Sequence, residues 1–433
     1  MNNLRVGHSP FPVNRSYGTV SAAQARFQGK PARNSLVEQW AELVSAQTNV
    51  CSPLRFLISA DVTSGGAARR GIGSGVIAAS RKGRVMGRRL IPALVVTLAV
   101  ALTGASGAGA TTTSVVMSGL DNPRGLAFGP EGALYVAEAG RSGSGPCIVL
   151  RGTPQCYGPT GAVSRLWRGK QERVATGLPS YGSAASTTGP HDISFLGRGG
   201  AYVTIGLGFE GQPRSALAGV GDQFGWLVHV PASGGWKPIA DIAAYEFAVN
   251  PGGGPLDSNP YGLLAEPGSR VIADAGANAL LRVAANGDIS TLAVFPSRAQ
   301  GRPTDAVPTA VAVGPDGAYY VAELTGVPFA AGAANIYRVV PGQAPTVRWS
   351  GFTTVIDIAF GPDGSLYVLE HSTGPVFFAL PGRLLKVAPD GTRTTVIDGL
   401  TRPGSVAVGP DGALYVSNRS TSIGTGEVLR IEP

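Results

Sequence analysis

The ten residues GPDGSLYVLE (361–370) combine a turn-forming Gly-Pro-Asp-Gly with an alternating run of β-formers. The same phrase stands at Gly129 (GPEGALYVAE), Gly314 (GPDGAYYVAE) and Gly409 (GPDGALYVSN), and the last three copies start 47 and 48 residues apart. A β-rich repeat of that period is one propeller blade. Working outward from Gly361, VIDIAFGP reads as an innermost strand buried on both faces, SLYVLE as the second strand, RLLKVAP as the third and TRTTVID as the fourth. Asp363-Gly364 is expected to make a tight hairpin of type I′. Two degenerate copies, HDISFLGRGGAYVTI (191–205) and NPYGLLAEPGSRVIADA (259–275), bring the phrase starts to about 129, 197, 266, 314, 361 and 409. The expected fold is all-β, a six-bladed propeller.

The final repeat stops one strand short. SVVMSGLDNPR (114–124) matches the blade-closing TTVIDGLTRP (394–403), so Thr112 to Met117 is expected to pair beside Val428 to Ile431. That N-terminal strand would close the last blade and remove two exposed sheet edges.

The formal charge of +8 is local: residues 1–110 hold 13 basic and 3 acidic residues, and 111–433 hold 22 and 24. The repeat-bearing part is nearly neutral, which excludes a nucleic-acid partner. At Met86, MGRRLIPALVVTLAVALTGASGAGA has an Arg-Arg n-region, an apolar stretch from Leu90 to Leu102 and small residues ending at Ala110. It reads as an export signal (86–110) cleaved after Ala110, too short to span a bilayer stably. Residues 1–85 read as a doubtful extension ahead of a natural start at Met86, and the propeller occupies 111–433. Setting aside Cys51, an exported domain keeps Cys147 and Cys156, an even pair expected to form a disulfide pinning a loop.

LDNPRGLAFGPEGALYVAEAG, the GPC…CYGPTGAVSR loop and TGPHDISF resemble the ScyD/ScyE family, within the NHL and gluconolactonase-like superfamily of six-bladed propellers. The resemblance covers essentially all of 112–433. It implies an exported propeller and constrains architecture far more than chemistry.

In such a ring, the loops before the innermost strands and after the second strands share one face around the central channel. They supply Asn122, Arg124, His191, Asp192, Asn259, Tyr261, Thr309, Asp357 and Arg402, and then Glu138, Thr204, Asp274, Glu323, Glu370, His371 and Asn418. Acids facing one channel repel unless a cation neutralises them. Glu138, Asp192, Asp274, Glu323, Asp357 and Glu370 are therefore candidate oxygen ligands for calcium or another hard divalent ion. The bland alternative is that they bind backbone N–H groups or pair with Arg124 and Arg402. His191 beside Asp192 is a candidate general base, with a structural histidine as the alternative. Gly206 to Gly211 (GLGFEG) satisfies a dinucleotide fingerprint without the surrounding βαβ unit, so it is set aside. The Tyr column at 135, 202, 320, 367 and 415 reads as packing between blades.

Two functional classes fit. One is an extracytoplasmic module binding a small molecule, a protein or a glycan through the channel face and the loops at 139–160, 206–224 and 324–335. The other is a metal-dependent lactonase- or esterase-like hydrolase at the channel mouth.

Overall fold

A computed structural model describes residues 111–209, 212–296, 298–299, 303–375 and 380–432. The expected signal segment, its cleavage at Ala110, Cys51 and residues 1–85 lie outside the described residues.

The repeated phrase owes its composition to one turn. Gly364 N donates to Gly361 O at 3.0 Å, and of the Asp363-Gly364 pair Gly364 alone takes positive φ, at 77°. This corrects the type I′ expectation, which needs positive φ at both residues. Proline at 362 suits the first corner of a type I turn, and the following glycine supplies the left-handed residue. The leading glycine has a different cause: a Cβ on Gly129 would fall 2.7 Å from the ring of Tyr135, and one on Gly361 3.0 Å from Tyr367. The acid between them holds the blade's third strand: Arg338 meets Asp316 at 2.7 Å, Lys386 meets Asp363 at 2.8 Å and Arg430 meets Asp411 at 2.8 Å. The tyrosines pack sideways, Tyr135 on Phe195, Tyr320 on Phe360 and Tyr415 on Phe128, each on the neighbouring blade.

Six antiparallel sheets follow in chain order. Blade 1 is Pro123–Phe128, Leu134–Glu138, Thr153–Trp167 and Lys170–Gly182. Blade 2 is Pro190–Phe195, Ala201–Ile205, Trp226–Val230 and Lys237–Asp241. Blade 3 is Pro260–Glu266, Ser269–Asp274, Ala279–Ala284 and Ile289–Val294. Blade 4 is Pro308–Val313, Tyr319–Glu323, Ala334–Val339 and Thr346–Phe352. Blade 5 is Val355–Phe360, Leu366–Glu370, Gly382–Val387 and Arg393–Leu400. Blade 6 is Ser405–Val408, Leu414–Asn418 and Gly426–Glu432, completed by Thr112–Leu120. Each innermost strand contacts the next, and the sixth contacts the first, so the ring is closed. Closure has the expected register, with Thr113 opposite Ile431 and Met117 opposite Val428. Buried aliphatic and aromatic side chains fill the spaces between blades, which supplies most of the stabilisation.

Asp121, which follows the closing strand, is 2% exposed and locks the seam. Its Oδ1 accepts from Gly424 N at 2.8 Å, and its Oδ2 meets Arg141 at 2.5 Å and Arg173 at 2.8 Å. Arg173 also reaches the fully buried Glu138 at 2.7 Å, so one cation serves two buried acids.

Blades 1 and 2 carry a cap. The disulfide Cys147–Cys156 forms, but it joins two strands rather than pinning a loop: Cys147–Leu150 pairs with the start of Thr153–Trp167, which runs on into blade 1. Residues 206–209 and 212–224 pack against blade 1 through Phe209 and Phe224, which meet Tyr157 of this hairpin and Tyr181 of the fourth strand, Tyr181 lying 5.0 Å from both phenylalanine rings. An eight-residue helix, α1 (Ile242–Val249), follows blade 2; Asp241 caps its start and pairs bidentately with Arg214.

Candidate functional site

Innermost strands of neighbouring blades are bridged near the channel mouth by side chains. Asp192 accepts from Ile193 N at 2.8 Å and from Leu263 N of blade 3 at 2.7 Å. Asp357 repeats this three blades on, accepting from Ile358 N at 2.8 Å, Val406 N at 2.9 Å and Ser405 Oγ at 2.6 Å. In a ring of six, blades 2 and 5 lie across the axis from each other, and the charge of Asp357 is felt at Asp192. Burial, and then the charge of Asp357, pushes Asp192 well above the usual carboxylate range; burial pushes Asp357 up to about 6.

Arg124 is the cation of the site. It is 9% exposed, and one of its terminal nitrogens donates to Thr187 O at 3.0 Å. Its charge acts on His191 of blade 2, Tyr261 of blade 3 and His371 of blade 5. A blade 1 side chain felt by three other blades reaches toward the axis.

His191 is 4% exposed, and its Nδ1 lies 3.2 Å from Pro260 O. A carbonyl only accepts, so this nitrogen carries the proton. Burial, with Arg124 adding to it, drives His191 down to about 3, and the imidazole is neutral at physiological pH. Its ring lies 4.6 Å from that of Tyr261, and Gly206 closes over its other side. The G-x-G stretch set aside above thus has a structural cause, because any Cβ at 206 would collide with the imidazole. Gly206→Ala is expected to lift the cap from blade 2 and destabilise the chain by about 1–3 kcal/mol, measured by urea unfolding.

The acids that end the second strands behave otherwise. Glu138 accepts from Asp121 N at 2.7 Å, Ser164 Oγ at 2.5 Å and Arg173. Asp274 accepts from Asn259 N and Ser258 Oγ at 2.7 Å, Gly276 N at 3.1 Å and Ala277 N at 3.2 Å. Glu370 accepts from Thr353 N at 2.8 Å and Arg383 Nε at 2.6 Å, and Glu323 from Asn335 N at 3.0 Å. Each is held by donors of its own blade, in most cases in the loop that precedes the innermost strand. All six acids expected as calcium ligands thus accept hydrogen bonds from protein donors, Glu138, Asp274, Glu323 and Glu370 within their own blade and Asp192 and Asp357 also from the innermost strand of the next blade. Among the described residues no three His, Cys, Asp or Glu side chains converge to hold a metal ion.

Arg173 and Glu246 were absent from the sequence-derived candidates. Glu246 had a faint signal, as the lone acid in the apolar stretch IAAYEFAV.

No protein-family model and no curated protein matches the chain. Solved structures similar to it include a streptogramin B lyase, 12% identical over 74% of this chain and 98% of that one, with a TM-score of 0.44. A putative gluconolactonase is 12% identical over 75% and 92% of the two chains, with a TM-score of 0.46. A putative oxidoreductase (glucose dehydrogenase) from Thermus thermophilus is 19% identical over 74% and 100%, with a TM-score of 0.45. At these identities the comparisons speak to the fold alone. The protein is a six-bladed β-propeller. No helix among the described residues is long and apolar enough to cross a membrane.

Proposed function

We propose that this propeller is an extracytoplasmic binding protein that takes a small polar molecule at the channel mouth, as the resemblance to exported ScyD/ScyE propellers suggests. The observation that carries the reading is Arg124, a nearly buried cation of the channel face whose charge acts on side chains of blades 2, 3 and 5. Such a mouth offers a fixed positive charge for a carboxylate or carbonyl oxygen and acceptors for hydroxyls. The disulfide-braced cap gives the mouth one rigid wall, and the disulfide fits an oxidising compartment.

One observation favours a hydrolase as the second reading. Two carboxyls held above their usual range can divide into a general acid and a general base for ester or lactone opening. The donors around Glu138, Asp274 and Glu370 leave no protein-built calcium ring, so no step is assigned to a metal.

Calorimetric titration of the purified chain with hydroxy acids, lactones and calcium separates the readings. The binding reading expects saturable heat from a hydroxy acid without turnover, weakened at least tenfold in Arg124→Ala. Lactone turnover lost in Asp192→Asn would replace it with the hydrolase. Calcium heat alone, or none, would overturn both and direct the search to a protein or glycan partner.

A further inference from the structure

Glu246 on helix α1 is 1% exposed, and its Oε2 has no hydrogen-bond partner. A buried carboxylate oxygen without a donor is strongly disfavoured when ionised. The charged group facing it is Asp274 at the end of the second strand of blade 3, itself fully buried. Burial raises the Asp274 carboxyl as well, but its four accepted hydrogen bonds work against that, and Glu246 Oε2 has none, so Asp274 is the member of the pair better fitted to carry the negative charge. Other polar groups packed around the helix are engaged elsewhere. Arg214 is held by Asp241 at the helix start, and Tyr245 meets Thr291 Oγ1 at 2.9 Å.

We propose that Glu246 holds a proton beside the Asp274 carboxylate and that losing it unlatches helix α1 and the following loop from the channel mouth. No access for a ligand is needed, because the bound species is a proton. From Asp274, whose charge acts on Glu246, a chain of hydrogen bonds runs to the mouth. Asp274 fixes Ser258 and Asn259; Ser258 O accepts from Gly208 N at 2.8 Å, and Asn259 Oδ1 accepts from Leu207 N at 3.1 Å. Those two bonds tie the blade 3 loop to the cap segment that roofs His191. When both acids are ionised they repel across a buried gap, and the helix with its loop moves out to let water reach Glu246.

The sign follows from the direction of the shift. Burial, and then the charge of Asp274, pushes Glu246 up to about 7, above its value in the unfolded chain. The stabilisation is present in acid and lost as pH rises through about 7. The latch is closed below neutrality and open in alkali, whatever ligand the mouth takes.

Amide hydrogen exchange of the whole chain at pH 6 and pH 9, corrected for intrinsic rates, tests this. Protection across 242–259 is expected to fall at least tenfold at pH 9 in the wild type and to stay constant in Glu246→Gln. A protonated-carboxyl infrared band that vanishes over the same interval in the wild type should be missing from Glu246→Gln, a difference that sets aside the bands of Asp192 and Asp357, whose carboxyls are also raised. Protection that does not change with pH in the wild type, or an unchanged loss in Glu246→Gln, would overturn the proposal. So would protection restored at pH 9 by millimolar calcium, since the pair would then take a cation.

Discussion

Arg173→Met is expected to weaken the closed ring by about 2–3 kcal/mol in urea unfolding at pH 7. Removing one partner of a buried ion pair typically costs about 3–5 kcal/mol because a charge is left uncompensated. Arg173 is 38% exposed, and solvent entering the vacated space lowers that figure. Two acids lose their partner at once, yet Asp121 keeps Arg141 and the Gly424 N–H. Most of the loss therefore falls on Glu138, which retains Ser164 Oγ and Asp121 N. Adding Glu138→Gln to Arg173→Met is expected to recover at least half of it, because an amide in that place carries no charge. Equal unfolding midpoints for wild type and Arg173→Met would show that the seam does not depend on this network.

The second large effect is a pH dependence set by His371. This residue is 1% exposed, its Nδ1 lies 2.8 Å from Pro403 O of blade 6, and burial, with help from Arg124 and Arg402, drives it down to about 3. In the unfolded chain it titrates near 6.5. The folded form thus binds fewer protons between these values, and the stability it contributes is complete above pH 6.5 and lost as pH falls toward 3. At about 1.4 kcal/mol per pH unit, the wild type should lose about 3 kcal/mol relative to His371→Gln between pH 6.5 and 4. The comparison must be made against the variant, because Asp357 works in the opposite sense: its carboxyl, pushed up to about 6, favours the folded state in acid. Urea midpoints at half-unit pH steps give both slopes. Parallel curves for wild type and variant would mean that His371 stays accessible to protons in the folded chain.

The ring was legible because its repeated phrase is a physical unit, with each residue of Gly-Pro-Asp-Gly answering to a turn angle, a tyrosine ring or a basic side chain on the third strand. Even the N-terminal strand could be placed, since it repeats the sequence of a blade's outer edge. The turn type was misjudged at Asp363 because its proline neighbour sets the first corner of the turn. The acids show where the site escaped. Glu138 and Asp357 look alike as carboxylates near a channel, and only their positions on different strands decide which is held within its own blade and which bridges to the innermost strand of the next. Arg124 was visible as a residue of the channel face. Its reach toward three other blades depends on side-chain direction and burial, which no spacing encodes. Glu246 sits in a helix that the strand repeat gave no reason to expect.

The closing strand has a consequence for how the ring comes together. Thr112 and Glu432, bonded across the seam, are 320 positions apart in the sequence. Five blades can assemble from neighbours in the chain, each hairpin drawing in the next. The sixth cannot finish until the two ends of the domain meet, so the slowest contact in assembly is also the one that fixes the circumference. Pulled by its ends, the molecule would open there first, as a clasp does.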